Sequence, residues 1–495
     1  MARANYALVT ALALAAALGG LLFGYDTAVI SGAVDAINAN YIDPRHLAEG
    51  ARNSLSGFAI SCALLGCVIG ASVAGAISTG LGRRSGLLLA GLLFFISSLG
   101  SGFPEFGWGA LGFTGVNALP IFIGYRILGG VAIGMASMLA PMYIAEISPP
   151  ASRGLFVTLQ QIAIVAGINL VYYINAFIQS HGNRGYLLST GWRYMLASAA
   201  IPALLLMLFM LLVPETPRFL VLKERKDEAL AVLRRLVGIG AAEATLAEIE
   251  QTLVEHTRPL LSFGALVLFV GIMMSVFQQL VGINAVLYYA PTMFENMGAS
   301  TDAAFWQAVV VGVTNSVFTL VALFTVDRWG RKPLLILGAL VMAAAMLTLG
   351  TLFDLHLVST TAGASGSRNS SAIAILAVVV YIGGFAMSWG PVTWVLLSEI
   401  FPNSVKGKAM SIAVAAQWIT NFFVSTTFPI MDRSSALNAA FNHGFAYWLY
   451  GAASIVAALF VMRFVPETKR RSLEAIQNMW ATRADQKIEV KAPVT

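Results

Sequence analysis

Two residues of opposite charge lie inside otherwise apolar runs of the sequence. Asp26 lies in the run that begins near Tyr6, within residues 19–30, and Arg126 lies in the run that begins near Leu119. An acid at the centre of a membrane helix costs about 2.5 to 3.5 kcal/mol, so such acids face a polar cavity, pair with a cation or titrate. At a rise of about 1.5 Å per residue, Asp26 and Arg126 reach comparable depths, which predicts an ion pair that protonation of Asp26 breaks. The alternatives are an acid that extends to the membrane surface and a static buried salt bridge.

A second polar group lies in the run FQQLVGINAVLYYAP, residues 277–291, where Gly282 and Pro291 are expected to loosen the helix. Each amide offers a donor and an acceptor, as each sugar hydroxyl does, whereas an ion site needs carboxylates or many carbonyl oxygens. A single Asn or Gln usually joins membrane helices, but several amides with tryptophan nearby indicate a polyhydroxyl ligand. The predicted ligand-binding residues are Gln161, Gln278, Gln279, Asn284, Tyr288, Asn315, Trp389, Gln417 and Trp418, with Asn421 beside them.

The composition is that of a polytopic membrane protein rather than a soluble one. Of 495 residues, 58% are hydrophobic and 11% are charged, and the mean hydropathy is +0.78. Long uncharged runs recur, and at about 20 residues per span they predict twelve transmembrane helices. The predicted spans are residues 8–33, 54–79, 86–103, 119–141, 154–178, 193–213, 261–290, 304–326, 333–353, 371–398, 408–431 and 443–464.

The net charge of +6 comes from basic residues whose positions match membrane topology rather than a nucleic-acid-binding surface. Most of the 30 Lys and Arg residues fall on the side that would be cytoplasmic if both termini were cytoplasmic. This asymmetry is the positive-inside rule, and it predicts the orientation. The only cysteines, Cys62 and Cys67, share the second predicted span and are expected to be buried thiols. The N-terminal apolar run is interpreted as a retained first helix rather than a secretory signal.

Repeated loop motifs divide the chain into two similar halves. GLGRR at 80–84 matches DRWGRK at 327–332, and PETPR at 214–218 matches PETKR at 466–470. These echoes predict two six-helix repeats with a substrate site between them near the membrane midplane. The predicted domains are a bundle at 1–217, amphipathic linker helices at 218–260, a second bundle at 261–466 and a tail at 467–495.

The cytoplasmic charges are predicted to form a gate that holds the halves together on the inner side. The alternative is that they only anchor the helices at the headgroup level. No nucleotide-binding loop or metal-ligand spacing occurs, so neither enzyme activity nor a cofactor is expected. The predicted gate residues are Arg83, Arg84, Glu146, Arg153, Glu215, Arg218, Asp327, Arg331, Glu399, Lys406 and Glu467.

Together these motifs resemble the sugar porter family of the major facilitator superfamily over nearly the whole chain. The resemblance rests on GGLLFGYDTAVISG, RILGG, PMYIAEISP, QQLVGINAVLYYAP, SWGPVTWVLLSEIFP and VPETK, in addition to the repeated loop motifs. The stretches GWRYM, AMSWGP and VAAQW are similar in particular to bacterial D-xylose-proton symporters. The chain departs from the pattern at Ile168 and Ala199, where those symporters carry a glutamine and an acid, and at Thr79 and Gly80, where the family's loop motif carries an acid and a base.

The resemblance implies an all-α membrane protein with the major facilitator fold that moves a monosaccharide and a proton by alternating access. Asp26 would be the proton acceptor, Arg126 its partner, and the amide and aromatic residues named above the sugar site. D-xylose is the leading substrate and D-glucose the next. An uncoupled facilitator, a transporter-like sugar sensor and a drug exporter are the alternatives. The expected location is the bacterial inner membrane, with both termini cytoplasmic and the chain monomeric.

Overall fold

The computed structural model describes residues 5–149, 153–253, 265–358, 368–401 and 405–469. Within these ranges the regular secondary structure is helical, as predicted. Among the described residues, eleven helices are long and apolar enough to cross a membrane. They are Tyr6–Gly32, Glu49–Gly80, Arg83–Gly102, Gly115–Ile147, Phe156–Ser180, Arg184–Leu212, Ala265–Tyr288, Thr301–Val326, Arg331–Asp354, Ser370–Leu397 and Phe445–Phe464.

The remaining predicted span, 408–431, coincides with a 27-residue helix, Lys406–Asp432. This helix contains Pro429 and carries Gln417 and Asn421 on buried positions. We number the spans from one to twelve in chain order, with Lys406–Asp432 as the eleventh. The predicted all-helical membrane architecture is therefore confirmed, with ends that differ from the predicted ones by several residues.

The seventh span is interrupted where the sequence predicted a loosened helix. Ala265–Leu280 ends, the chain turns at Gly282, and Ile283–Tyr288 and Ala290–Asn296 follow as short helices. Gly282 has φ +94°, a conformation that favours glycine, and any Cβ there would also overlap the Tyr450 ring. The Tyr381 hydroxyl donates to the backbone carbonyl of residue 281 at 2.8 Å, which satisfies one backbone group that the break leaves free.

The chain folds into two compact units. The first contains Met1–Glu255, Val286–Gly312 and Ser425–Ile430, and the second contains His256–Ala285, Val313–Val424 and Met431–Thr495. Two short stretches from the C-terminal half of the sequence therefore belong to the first unit. The predicted domain borders near residues 217, 260 and 466 stay a prediction.

The linker is helical and amphipathic over its described part, as its sequence pattern predicted. It forms Pro217–Leu222, Lys226–Val237 and Ile239–Leu253. Leu220, Val221 and Ala229 form a small buried cluster. Residues 254–260 of the predicted linker, residues 261–264 at the start of the predicted second bundle, and the predicted tail from residue 470 onward lie outside the described residues. Both cysteines are buried and unbridged, as predicted.

Candidate functional site

The predicted ion pair forms in the first unit. Arg126 Nη1 lies 2.7 Å from Asp26 Oδ1, and the two residues are only 3% and 6% exposed. The Nε of Arg126 has no hydrogen-bond partner among the described residues. Removing one partner from a buried ion pair costs about 3 to 5 kcal/mol, because the other charge is left uncompensated. A proton on Asp26 would therefore change the balance of forces around Arg126.

Glycines place the first and fifth spans in direct backbone contact beside this pair. A Cβ on Gly24 would overlap the carbonyl oxygen of Ile164, and a Cβ on Gly167 would overlap that of Leu21. Larger residues at either position would force the two helices apart. Close packing at Gly24 thus sets the position of the first span, and Asp26 follows Gly24 by two residues.

The fifth span presents adjacent glutamines with different environments. Gln161, the predicted ligand residue, is half-buried. Gln160 is 7% exposed, and neither of its amide atoms has a partner within the described part of the chain. Its side chain lies against Gly20 of the first span. Gln160 is not among the predicted ligand-binding residues, although the QQ doublet at 160–161 marks its position.

The amides around the break in the seventh span form a hydrogen-bonded group in the second unit. Gln278 Nε2 donates to the carbonyl oxygens of Trp389 and Gly390 at 3.0 and 3.3 Å. Asn284 Nδ2 donates to Gln279 Oε1 at 2.6 Å across the break. Gln278 and Gln279 are 3% and 5% exposed. The structure thus brings these amides together, while their role as ligand contacts stays a prediction.

The other predicted ligand residues are divided between the two units. Trp389 is fully buried, and its Nε1 donates to the carbonyl oxygen of Leu335 at 2.9 Å. Gln417 Oε1 has no partner among the described residues, so it retains an unused acceptor. Asn315, Trp418 and Asn421 are buried in the second unit, whereas Gln161 and Tyr288 belong to the first.

The predicted gate residues of the first repeat form a compact cluster. Arg83 Nη2 and Nε donate to Glu146 Oε1 at 2.9 and 3.2 Å. The backbone N–H groups of Arg83 and Arg84 donate to the carboxylate of Glu215, which caps the helix that begins at Arg83. Thr216 Oγ1 donates to Glu146 Oε2 at 2.7 Å. The preceding glycine at 82 has φ +99°, as the turn into this cap requires.

The second repeat builds the same cluster from the matching motif. Arg331 Nη2 donates to Glu399 Oε1 at 2.9 Å. The backbone N–H groups of Arg331 and Lys332 donate to Glu467, and Thr468 Oγ1 donates to Glu399 Oε2 at 2.6 Å. The two threonines of the PET motifs complete the clusters, and sequence reasoning did not select them. Their signal was their position directly after the repeated glutamate.

These clusters lie within one unit each, so the described pairs stabilise the loops of each repeat. Arg218 is exposed and has no described ion pair. The side chains of Arg153, Asp327 and Lys406 lie outside the described residues. A gate that joins the two halves stays a prediction.

The fold is that of a multi-pass membrane transporter of the major facilitator type. Its membrane helices, its interrupted seventh span and its buried Asp26–Arg126 pair are consistent with this class. The chain belongs to the sugar transporter family, whose pattern, "Sugar (and other) transporter", matches residues 12–480. The family expected from the sequence motifs is thereby confirmed.

Individual relatives cover almost the whole chain. The D-xylose-proton symporter of Escherichia coli K12 is 48% identical over 491 residues, covering 96% of each chain. The glucose facilitated diffusion protein of Zymomonas mobilis is 45% identical over 478 residues, covering 96% of this chain and 98% of that protein. The partially occluded, inward open structure of the E. coli xylose transporter superimposes with a TM-score of 0.83 at 46% identity, covering 94% of this chain and 99% of that one.

Proposed function

We propose that this protein is a D-xylose:proton symporter of the bacterial inner membrane that works by alternating access. The observation that carries the proposal is the buried Asp26–Arg126 pair, a titratable ion pair in the middle of a transporter fold. The 48% identity to a D-xylose-proton symporter supports xylose and protons as the two transported species. Both termini lie in the cytoplasm in this proposal, because the positive charges of the loops favour that orientation.

The proton acts in this mechanism by neutralising Asp26. Ionised Asp26 holds Arg126 at 2.7 Å, and a protonated Asp26 loses the Coulombic part of that attraction. Arg126 then needs another counter-charge or water, so the first and fourth spans favour a different relative position. Sugar bound by the amides near Gln279 would favour the same rearrangement, which couples the movements of the two cargoes.

An uncoupled glucose facilitator is the second candidate. It is favoured by the 45% identity to a glucose facilitated diffusion protein and by Ile168, which is an apolar and buried residue of the fifth span. Against it, a facilitator has no need for a buried acid, whose placement in a membrane span is costly.

Uptake into vesicles containing the purified protein distinguishes these functions. With a membrane potential of 100 mV, one co-transported proton supplies about 2.3 kcal/mol, and at about 1.4 kcal/mol per tenfold step xylose should accumulate about 50-fold. A protonophore should reduce this ratio to one. A facilitator would reach a ratio of one in both cases. Competition by unlabelled glucose and arabinose in the same vesicles ranks the substrates.

The Gln279→Ala variant tests the ligand site. Gln279 is buried beside the break and shares a hydrogen bond with Asn284. Loss of one neutral hydrogen bond to the sugar is worth about 0.5 to 1.5 kcal/mol, so the KM for xylose should rise about 2- to 13-fold with a smaller change in kcat. Asn40→Ala is the matched control, since that amide donates to the carbonyls of Ala36 and Leu188 away from the break. An unchanged KM in Gln279→Ala would remove this residue from the sugar site.

A further inference from the structure

A pair of carboxyl groups lies at the end of the first unit that is outer in the proposed orientation. Asp35 follows the first span, and Glu295 lies on the short helix Ala290–Asn296 that follows the seventh. The two carboxyl groups lie within hydrogen-bonding range of each other. Two carboxyl groups can make a hydrogen bond only when one of them carries a proton, because two carboxylates have no hydrogen to share.

Charged and polar side chains of the first unit lie around this pair. Arg184, the first residue of the sixth span, places its Nη2 3.2 Å from Asp35 Oδ2 and also acts electrostatically on Glu295. The hydroxyl of Thr301 donates to Glu295. The nearby carboxylate of Asp302 receives its own hydrogen bond from Gln179 at 3.3 Å. Arg184 is therefore shared by the two acids, and its side chain is 62% exposed.

The pair lies beside a contact region between the two sequence repeats within the first unit. We call this region the outer seam, and it includes the short helix Ala290–Asn296 and the turn Ile30–Gly32. The helix Ala290–Asn296 packs against the turn Ile30–Gly32. In the same unit, the Tyr172 hydroxyl donates to the carbonyl of Leu287 at 2.7 Å, and Ser61 Oγ lies 2.5 Å from Thr426 Oγ1. An outer path between the repeats can open only if these contacts separate.

We propose that Asp35 and Glu295 form a second proton-binding site, which closes this outer seam while it carries one proton and weakens the seam when the proton leaves. The inference rests on the proposed orientation and transport cycle. External acid would then have two effects on the same cycle. It would protonate Asp26, and it would favour closure of the outer seam after the sugar has bound.

The direction of the pH dependence follows from linkage. Partial burial, and next the charge of Asp35, raise the pKa of Glu295 above its usual range in the closed seam. Once the seam opens, Glu295 is solvated and separated from Asp35, so its pKa returns toward the usual value. The closed seam is thus favoured in full below the ordinary carboxyl pKa, and the preference is lost as pH rises through the raised pKa of Glu295.

Thiol labelling of the seam measures this equilibrium directly, without sugar or a proton gradient. The full chain would carry Asp26→Asn to remove the other proton site, Cys62→Ala and Cys67→Ala to remove native thiols, and Ala290→Cys as the reporter. Ala290 is 1% exposed, so labelling requires the seam to open. The exposed position in Ser300→Cys gives the intrinsic rate at each pH, and Met293→Cys, also at a 1% exposed site, is a second reporter.

The labelling rate of Ala290→Cys, divided by that of Ser300→Cys at the same pH, should rise several-fold between pH 5 and pH 8 when Glu295 is present. Glu295→Gln should hold it near its low-pH value, since an amide still donates to Asp35 and cannot lose a proton. Arg184→Met should move the midpoint to higher pH, because Arg184 stabilises the ionised form of Glu295. Glu49→Gln, at an exposed acid of the same side, should leave the rise intact.

A rise that persists in Glu295→Gln, or a rate that is independent of pH with Glu295 in place, would overturn the inference. Since the assay contains no sugar, a failure of the proposed xylose transport would leave these labelling results interpretable. The two proposals can therefore fail separately.

Discussion

Asp26→Asn should abolish the accumulation of xylose against a gradient while preserving exchange of sugar across the membrane. Asparagine has nearly the same shape, its amide oxygen can still accept a hydrogen bond from Arg126, and it cannot bind or release a proton. The sugar site and the conformational change should therefore remain while the coupling to protons is lost. In vesicles at 100 mV, the accumulation ratio should fall from about 50 to one. Counterflow of labelled xylose should continue, without the part of its pH dependence that Asp26 contributes.

The matched control is Asp43→Asn, which removes an acid that pairs with Arg52 on an exposed loop. Because that pair is solvated, its loss should leave the accumulation ratio unchanged. Undiminished accumulation by Asp26→Asn would contradict coupling through this residue. If counterflow were lost as well, Asp26 would be needed for the movement itself rather than for its coupling to protons.

Arg83→Met should strongly destabilise the first repeat. The Arg83 and Glu146 side chains are 8% and 11% exposed and lie 2.9 Å apart, so methionine would leave a nearly buried carboxylate without its cation. Breaking such a pair costs about 3 to 5 kcal/mol. Thermal unfolding of the purified protein should therefore occur several degrees lower, with faster loss of binding-competent protein at a fixed temperature.

The two repeats offer an internal comparison for this variant. Arg331→Met removes the equivalent partner of Glu399, which is 23% exposed in its side chain, so the loss should be smaller because water can solvate the remaining acid. Arg218→Met, at an exposed position, should have little effect. Equal stability of Arg83→Met and Arg218→Met would show that the Arg83 pair contributes nothing measurable.

The position of the membrane spans could be predicted from the sequence because it depends on local composition. A helix in lipid must satisfy its own backbone hydrogen bonds and present apolar side chains, so a run of about 20 apolar residues is sufficient evidence. The interruption at Gly282 could also be predicted from local sequence, because a glycine weakens a helix at its own position. The precise ends, such as the extension of the second span to Glu49, depend on packing of polar residues outside the apolar run.

The repeat motifs identified Arg83, Glu146 and Glu215, and their counterparts in the second repeat, as predicted gate residues, but they did not predict the partner of each. Arg83 and Glu146 are far apart in sequence, and their contact requires the third and fourth spans to pack together. Thr216 and Thr468 were missed because their repeated position after a proline-glutamate pair does not show which carboxylate a hydroxyl will reach. Only the folded loops bring each hydroxyl to a carboxylate oxygen.

The amino-acid sequence by itself determined the class of this protein, its spans, its internal repeat and the residues able to carry a proton or bind hydroxyl groups, because these follow from residue type and local periodicity. The tertiary structure decided that Gln160 is buried with no partner in the described part of the chain, and that Asp35 meets Glu295. Each of these depends on which helix faces are packed together. Such packing arises from contacts between residues distant in sequence, as where Gly24 lets the first span touch the fifth.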